Sequence, residues 1–176
     1  MDWSDAILRW GHFFAGIMWI GMLYYFNFVN VDAVKEATAA GQAAPIGKYV
    51  VPRALAYFRY GAVFTWIFGA GLLGTLPGAG IGGNGFVGAF LLQGNLVPIG
   101  IGAWLGTIML FNVWVLIWPN QQKILGMKPA TDEEKAKARR IAGLASRVNT
   151  MLSIPMLFFM ATGFHHQDGL YTLFSH

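Results

Sequence analysis

The chain has 176 residues, 56% of them hydrophobic and only 11% charged, against roughly 25% charged in an average soluble domain. That balance excludes a soluble fold, which could not hide so much apolar surface, and the length allows one domain over residues 1–176. The formal charge of +4 does not signal nucleic acid, because the basic residues fall in two loops. With no cysteine, disulfides, thiolate metal sites, a catalytic cysteine and haem attachment through C-x-x-C-H are all excluded.

A bilayer core takes ~20 apolar residues in helical form. The first such run, residues 6–28, follows Ser4 and is broken only by Arg9, His12 and Asn27. It is too long for a cleaved signal peptide and lacks a basic start, so it is expected to stay as a helix. The second run, residues 54–75, carries Arg59 as its only charge and ends before Pro77. Phe86 to Leu92 is apolar but too short to span, which predicts a surface or re-entrant loop over residues 78–95. The third run covers residues 96–118 and the fourth residues 145–165. Thr131 and Glu134 have the spacing of a capping box, so a helix is expected to start there and continue into the fourth run. The expected fold is all-α, an integral membrane four-helix bundle.

The loops fix an orientation. Lys35, Lys48 and Arg53 lie in or beside the first loop, and Lys123, Lys128, Lys135, Lys137, Arg139 and Arg140 in the third. The second loop and the tail after Arg147 have no lysine or arginine. The positive-inside rule therefore makes the first and third loops cytoplasmic and puts both termini outside.

Four histidines are present: His12, His165, His166 and His176. In that orientation His12 lies in the outer half of the first span, and His165 and His166 end the fourth span on the same side. Two imidazoles at similar depth on different helices are what a bis-histidine b-type haem requires. His12 and His165 are the candidate iron ligands, with His166 as the substitute for His165. Gly16 lies one turn after His12, where a bulky residue would obstruct a ring plane, and Arg9 lies one turn before it, placed for haem propionates. The outer half is also rich in small residues, among them Gly11, Gly69, Gly71, Gly74, Gly100, Gly102 and Gly106. These read either as room for a macrocycle or as close helix packing. On the inner side Asn27, Arg59, Asn112, Arg147 and Asn149 form a candidate polar layer. It reads either as a site for an anionic or quinone-like ligand or as a hydrogen-bonded clamp.

Four stretches carry a family resemblance: WGHFFAGIMWIGMLYYFNFVN from Trp10, PRALAYFRYGAVFTWIFG from Pro52, MLFNVWVLIWPNQ from Met109 and SRVNTMLSIPMLFFM from Ser146. In this order they resemble the membrane domain of the bacterial membrane-bound urate oxidase (urate hydroxylase) family. The first helix is also similar to that of small four-helix haem b membrane proteins, including the bacterial protoporphyrinogen oxidase. The resemblance implies haem b, with His12 at the position of the haem-linked histidine of the first helix and His165 after the motif of the fourth. It also implies the bacterial cytoplasmic membrane. Members of that family carry a C-terminal cytochrome c domain on the outer side; this chain ends at His176 without cysteine, so electrons are expected to pass to a separate protein.

Three functions follow as expectations. The first is a haem b electron-transfer protein delivering electrons to an external cytochrome. The second is a membrane-bound oxidase of urate or another small reductant. The third is a haem-free structural subunit of a larger respiratory-type membrane complex. The expected partners are the lipid bilayer together with cytochrome c or such a complex, and self-association stays open.

Overall fold

The structure, a computed structural model, describes residues 3–76 and 83–165, the last three by backbone alone. Among the described residues the fold is entirely helical, as expected. α1 (Trp3–Tyr24) passes through a π-helical segment, Tyr25–Asn30, into α2 (Val31–Ala39). A short turn, α3 (Ala43–Pro45), and a second π segment, Ile46–Val50, lead into α4 (Val51–Thr75). α5 (Gly85–Phe90) and a 3-10 turn, Gly94–Leu96, precede α6 (Val97–Phe111). A third π segment, Asn112–Ile117, joins it to α7 (Trp118–Ile124), and α8 (Asp132–His165) completes the described chain.

Local chemistry accounts for the boundaries. Thr131 and Glu134 exchange hydrogen bonds, Thr131 N–H to Glu134 Oε2 at 2.9 Å and Glu134 N–H to Thr131 Oγ1 at 3.2 Å. This is the expected capping box, and the helix it starts runs without a break into the fourth apolar run. Asp132, Glu133 and Glu134 in its first turn complement the helix dipole. Pro52 and Pro119 closely follow π segments. A proline ring would clash with the carbonyl four residues back, and a wide π turn relieves that clash. Gly126, at φ +73°, ends α7 while Met127 N–H reaches back to Gln122 O at 2.9 Å.

Among the described residues three stretches are long and apolar enough to cross a bilayer: Trp3–Ala39, Gly94–Ile124 and Asp132–Thr162. They contain the expected first and third spans and residues 145–162 of the fourth, the first prolonged well past residue 28. α4 holds the expected second span and is 25 residues long. Arg59, Tyr57, Tyr60 and four glycines dilute its apolarity, and it does not stand with the other three.

The expected loop over residues 78–95 contains a helix instead. Asn84 caps α5, its side chain accepting from Phe86 N–H. Ala89, fully buried, packs with Leu73, Leu96, Ile99 and Ala103, and Phe86, Phe90 and Met160 lie around them. Glycine permits the approach on both sides. A Cβ on Gly85 would meet Leu73 O at 2.5 Å, and one on Gly100 would collide with the Ala89 carbonyl oxygen. Six apolar residues do not span a membrane.

The chain divides into two compact units. The first comprises Met1–Phe14, Phe64–Met109 and Met151–His176, and the second Ala15–Val63 and Leu110–Thr150. In the first, α1 and α4 run antiparallel and close. Thr75 Oγ1 meets Asp5 Oδ1 at 3.3 Å, a Cβ on Gly71 would meet Leu8 at 2.7 Å, and one on Gly11 the Phe68 ring at 2.7 Å. Trp66 Nε1–H donates to Thr107 Oγ1 at 3.0 Å, joining α4 to α6, and Gly102 of α6 packs on Met160 of α8. In the second unit Trp19 of α1 seats on Gly61 of α4, and Phe26 meets Phe58 edge-on at 5.7 Å.

Candidate functional site

His12, partly buried, faces α4. Its Nδ1 lies 2.8 Å from the Thr65 backbone carbonyl. A carbonyl only accepts, so Nδ1 carries the proton and Nε2 keeps its lone pair. That is the arrangement in which a metal-binding histidine is held, one nitrogen anchored to a carbonyl and the other basic and directed at the metal. Among the described residues Nε2 has no hydrogen-bond partner. Gly69 completes the seat: a Cβ there would stand 2.9 Å from both Cε1 and Nδ1 of the imidazole. The ring occupies the place of the missing side chain. The tautomer and the glycine seat fit an imidazole that ligates a metal such as haem iron.

Other expected members fall as follows. Arg9, one turn before His12, pairs with Asp5 of the same helix at 3.2 Å. Gly16 is half-buried on α1 in the second unit. His165 is the last described residue of α8, and its side chain, like the whole of His166 and His176, lies outside what the structure describes. The outer glycines at positions 11, 71, 100 and 102 are filled by neighbouring Phe68, Leu8, Ala89 and Met160. At these four the close-packing role holds.

The inner polar residues separate into two groups, both in the second unit. Asn27, in the first π segment, donates through Nδ2 to Leu23 O and to Ser146 Oγ, both at 2.8 Å. Asn112, opening the third π segment, donates to Asn149 Oδ1 at 2.8 Å, and Asn149 is fully buried. Ser146 and Asn149, three residues apart, share one face of α8. Two asparagines on wide turns are thereby tied to a single helix, which is the clamp arrangement. Arg59 stands apart among aromatic rings: its Cζ is 3.7 Å from the Trp118 ring centroid, 4.8 Å from Tyr60 and 5.9 Å from Trp114. Arg147 is exposed. Thr65 and Ser146 were not legible as site residues, the first because it acts through its backbone and the second because a serine has no distinctive signature. The rings around Arg59 are plain in the sequence, but nothing there marks them as its partners.

The chain matches no curated protein and no solved structure. Residues 85–171, which run from α5 through α8, match a family model described as urate oxidase N-terminal. The match includes Asn112, Asn149 and His165 and stops short of His12. This match overlaps the motifs around Asn112 and Ser153, and over residues 85–171 the chain is similar to the urate oxidase N-terminal family.

Proposed function

We propose that the protein is a four-helix membrane bundle that holds one haem b and passes electrons to an external cytochrome. Several observations support α4 as the fourth span. It exceeds the ~20 residues that a bilayer core requires, Arg59, the one charge within residues 54–75, is covered by aromatic rings, and it packs along α1 in each unit. Charge supports the orientation. Every lysine and arginine except Arg9 belongs to the second unit, eleven basic against five acidic residues, or +6; the first unit has Arg9 against Asp2, Asp5 and Asp168, or −2. By the positive-inside rule the basic first and third loops face the cytoplasm, and His12 and both termini lie on the outer side.

The observation that carries the haem reading is the His12 seat. Thr65 fixes the ring through Nδ1, Gly69 leaves it room, and Nε2 is free to ligate. His165, with His166 as its substitute, would supply the second nitrogen to the iron. Arg9, kept on its helix by Asp5, lies one turn from His12 to serve a propionate. Haem b bound here supplies one-electron transfer, while the protein sets its position and its potential. Protein purified from the membrane is expected to give a pyridine haemochrome of one haem b per chain. A folded, haem-free preparation from haem-sufficient cells would overturn the proposal and leave the structural-subunit role.

The family description favours a second reading, an oxidase of urate or a similar small reductant. Urate added anaerobically to the oxidised protein decides between them: reduction of the haem bands supports the oxidase, and unchanged bands support electron transfer alone.

A further inference from the structure

Arg59 carries a charge with no counter-ion among the described residues. Among the described residues it forms no ion pair and no hydrogen bond. Its Nε and the nearby Trp114 Nε1 are both buried donors without an acceptor. The rings hold the cation in place. Trp118 stacks on it at 3.7 Å, and Tyr60 and Trp114 meet edge-to-face at 6.1 Å beside it. Stacking uses the face of the guanidinium plane, and its five N–H groups point outward within that plane. No acidic residue lies in α4, in the third π segment or in α7. Donors left unsatisfied at membrane depth are costly, and none of the described residues supplies an acceptor.

We propose that Arg59, Trp114 and Trp118 form a binding site for the phosphate of an anionic phospholipid in the cytoplasmic leaflet. The guanidinium edge matches two phosphate oxygens, and the Trp114 indole N–H supplies a further donor. The site lies in the strongly basic unit, which draws anionic headgroups. The surroundings favour a lipid over a free anion. Tyr57, Phe111 and Val115, on the same two stretches of helix, are exposed and apolar and give acyl chains a surface. The proposal rests on α4 lying in the bilayer and is independent of haem.

The test compares the protein in nanodiscs of phosphatidylcholine with and without phosphatidylglycerol, reading lipid retained in native mass spectra and thermal stability. Wild type is expected to retain phosphatidylglycerol and to melt at a higher temperature with it. Arg59→Gln is expected to lose about tenfold in retained lipid, the size of roughly one charge-assisted hydrogen bond. Trp114→Phe keeps the ring and removes only the donor, so a smaller loss is expected and misfolding does not confuse it. Retention by Arg59→Gln equal to wild type, or no preference between the two lipids, would overturn the proposal. Equal protection by inorganic phosphate in phosphatidylcholine alone would keep the phosphate site and overturn its lipid occupant. Cysteine at Tyr57 reads the underlying span separately: protection from impermeant reagents supports it, and labelling removes the basis of the proposal.

Discussion

One imidazole has its two nitrogens set to different tasks by what surrounds them. Thr65 takes the Nδ1 proton of His12 and Gly69 gives the ring its space. The seat is sensitive to a single methyl group. Gly69→Ala would bring a Cβ to 2.9 Å from the ring, and either the imidazole or the backbone of α4 must then shift. We expect this variant to fold but to retain haem weakly, with absorption bands shifted toward high spin. Haem content per folded chain checks it, and full occupancy with a wild-type spectrum would show that Gly69 only packs. His12 was legible from the sequence because an ionisable residue inside an apolar run is rarely idle. Its partner was not, since a backbone carbonyl is the same at every position.

Two π segments carry the asparagines that grip α8. A π turn widens the helix and leaves a backbone carbonyl without its usual donor, and Asn27 supplies one to Leu23 O from its own side chain. The grip at Asn112 is enclosed, with Asn149 fully buried. Replacing Asn112 by Ala removes the donor to Asn149 Oδ1 and is expected to cost about 1–3 kcal/mol of stability. The double variant Asn112→Ala, Asn149→Ala is expected to cost less than the sum of the two single changes, because the bond between them is lost only once. Unfolding in detergent with rising denaturant measures both. Additive losses would mean that the two side chains do not act as a pair. The sequence placed these asparagines on one level by counting residues along each run, which is sound for straight helices. It missed the π segments, because no residue pattern distinguishes them from α-helix, and it missed α5, because six apolar residues are too few to show a period.

At the scale of the molecule, charge and apolarity were legible from composition, and both follow from the bilayer as solvent. Three stretches carry that signal plainly; α4 carries it diluted, because it bears Arg59 and the glycines against which α1 packs. The orientation has its own test. Trp3, 84% exposed, and Lys137, in the basic half, are suited to cysteine substitution. In intact cells cysteine at position 3 is expected to react with an impermeant maleimide and cysteine at position 137 only after lysis. The opposite pattern would put His12 on the cytoplasmic side and exclude an external cytochrome as acceptor.

The central claim is that His12 ligates a haem, and the optical spectrum of the purified protein before and after dithionite tests it most directly. Wild type is predicted to give a sharp Soret band and a reducible α band of a low-spin b-type centre. His12→Ala is predicted to lose the low-spin signature, leaving high-spin or weakly held haem, with unchanged helical content by circular dichroism. A His12→Ala protein with the full low-spin spectrum would contradict the account.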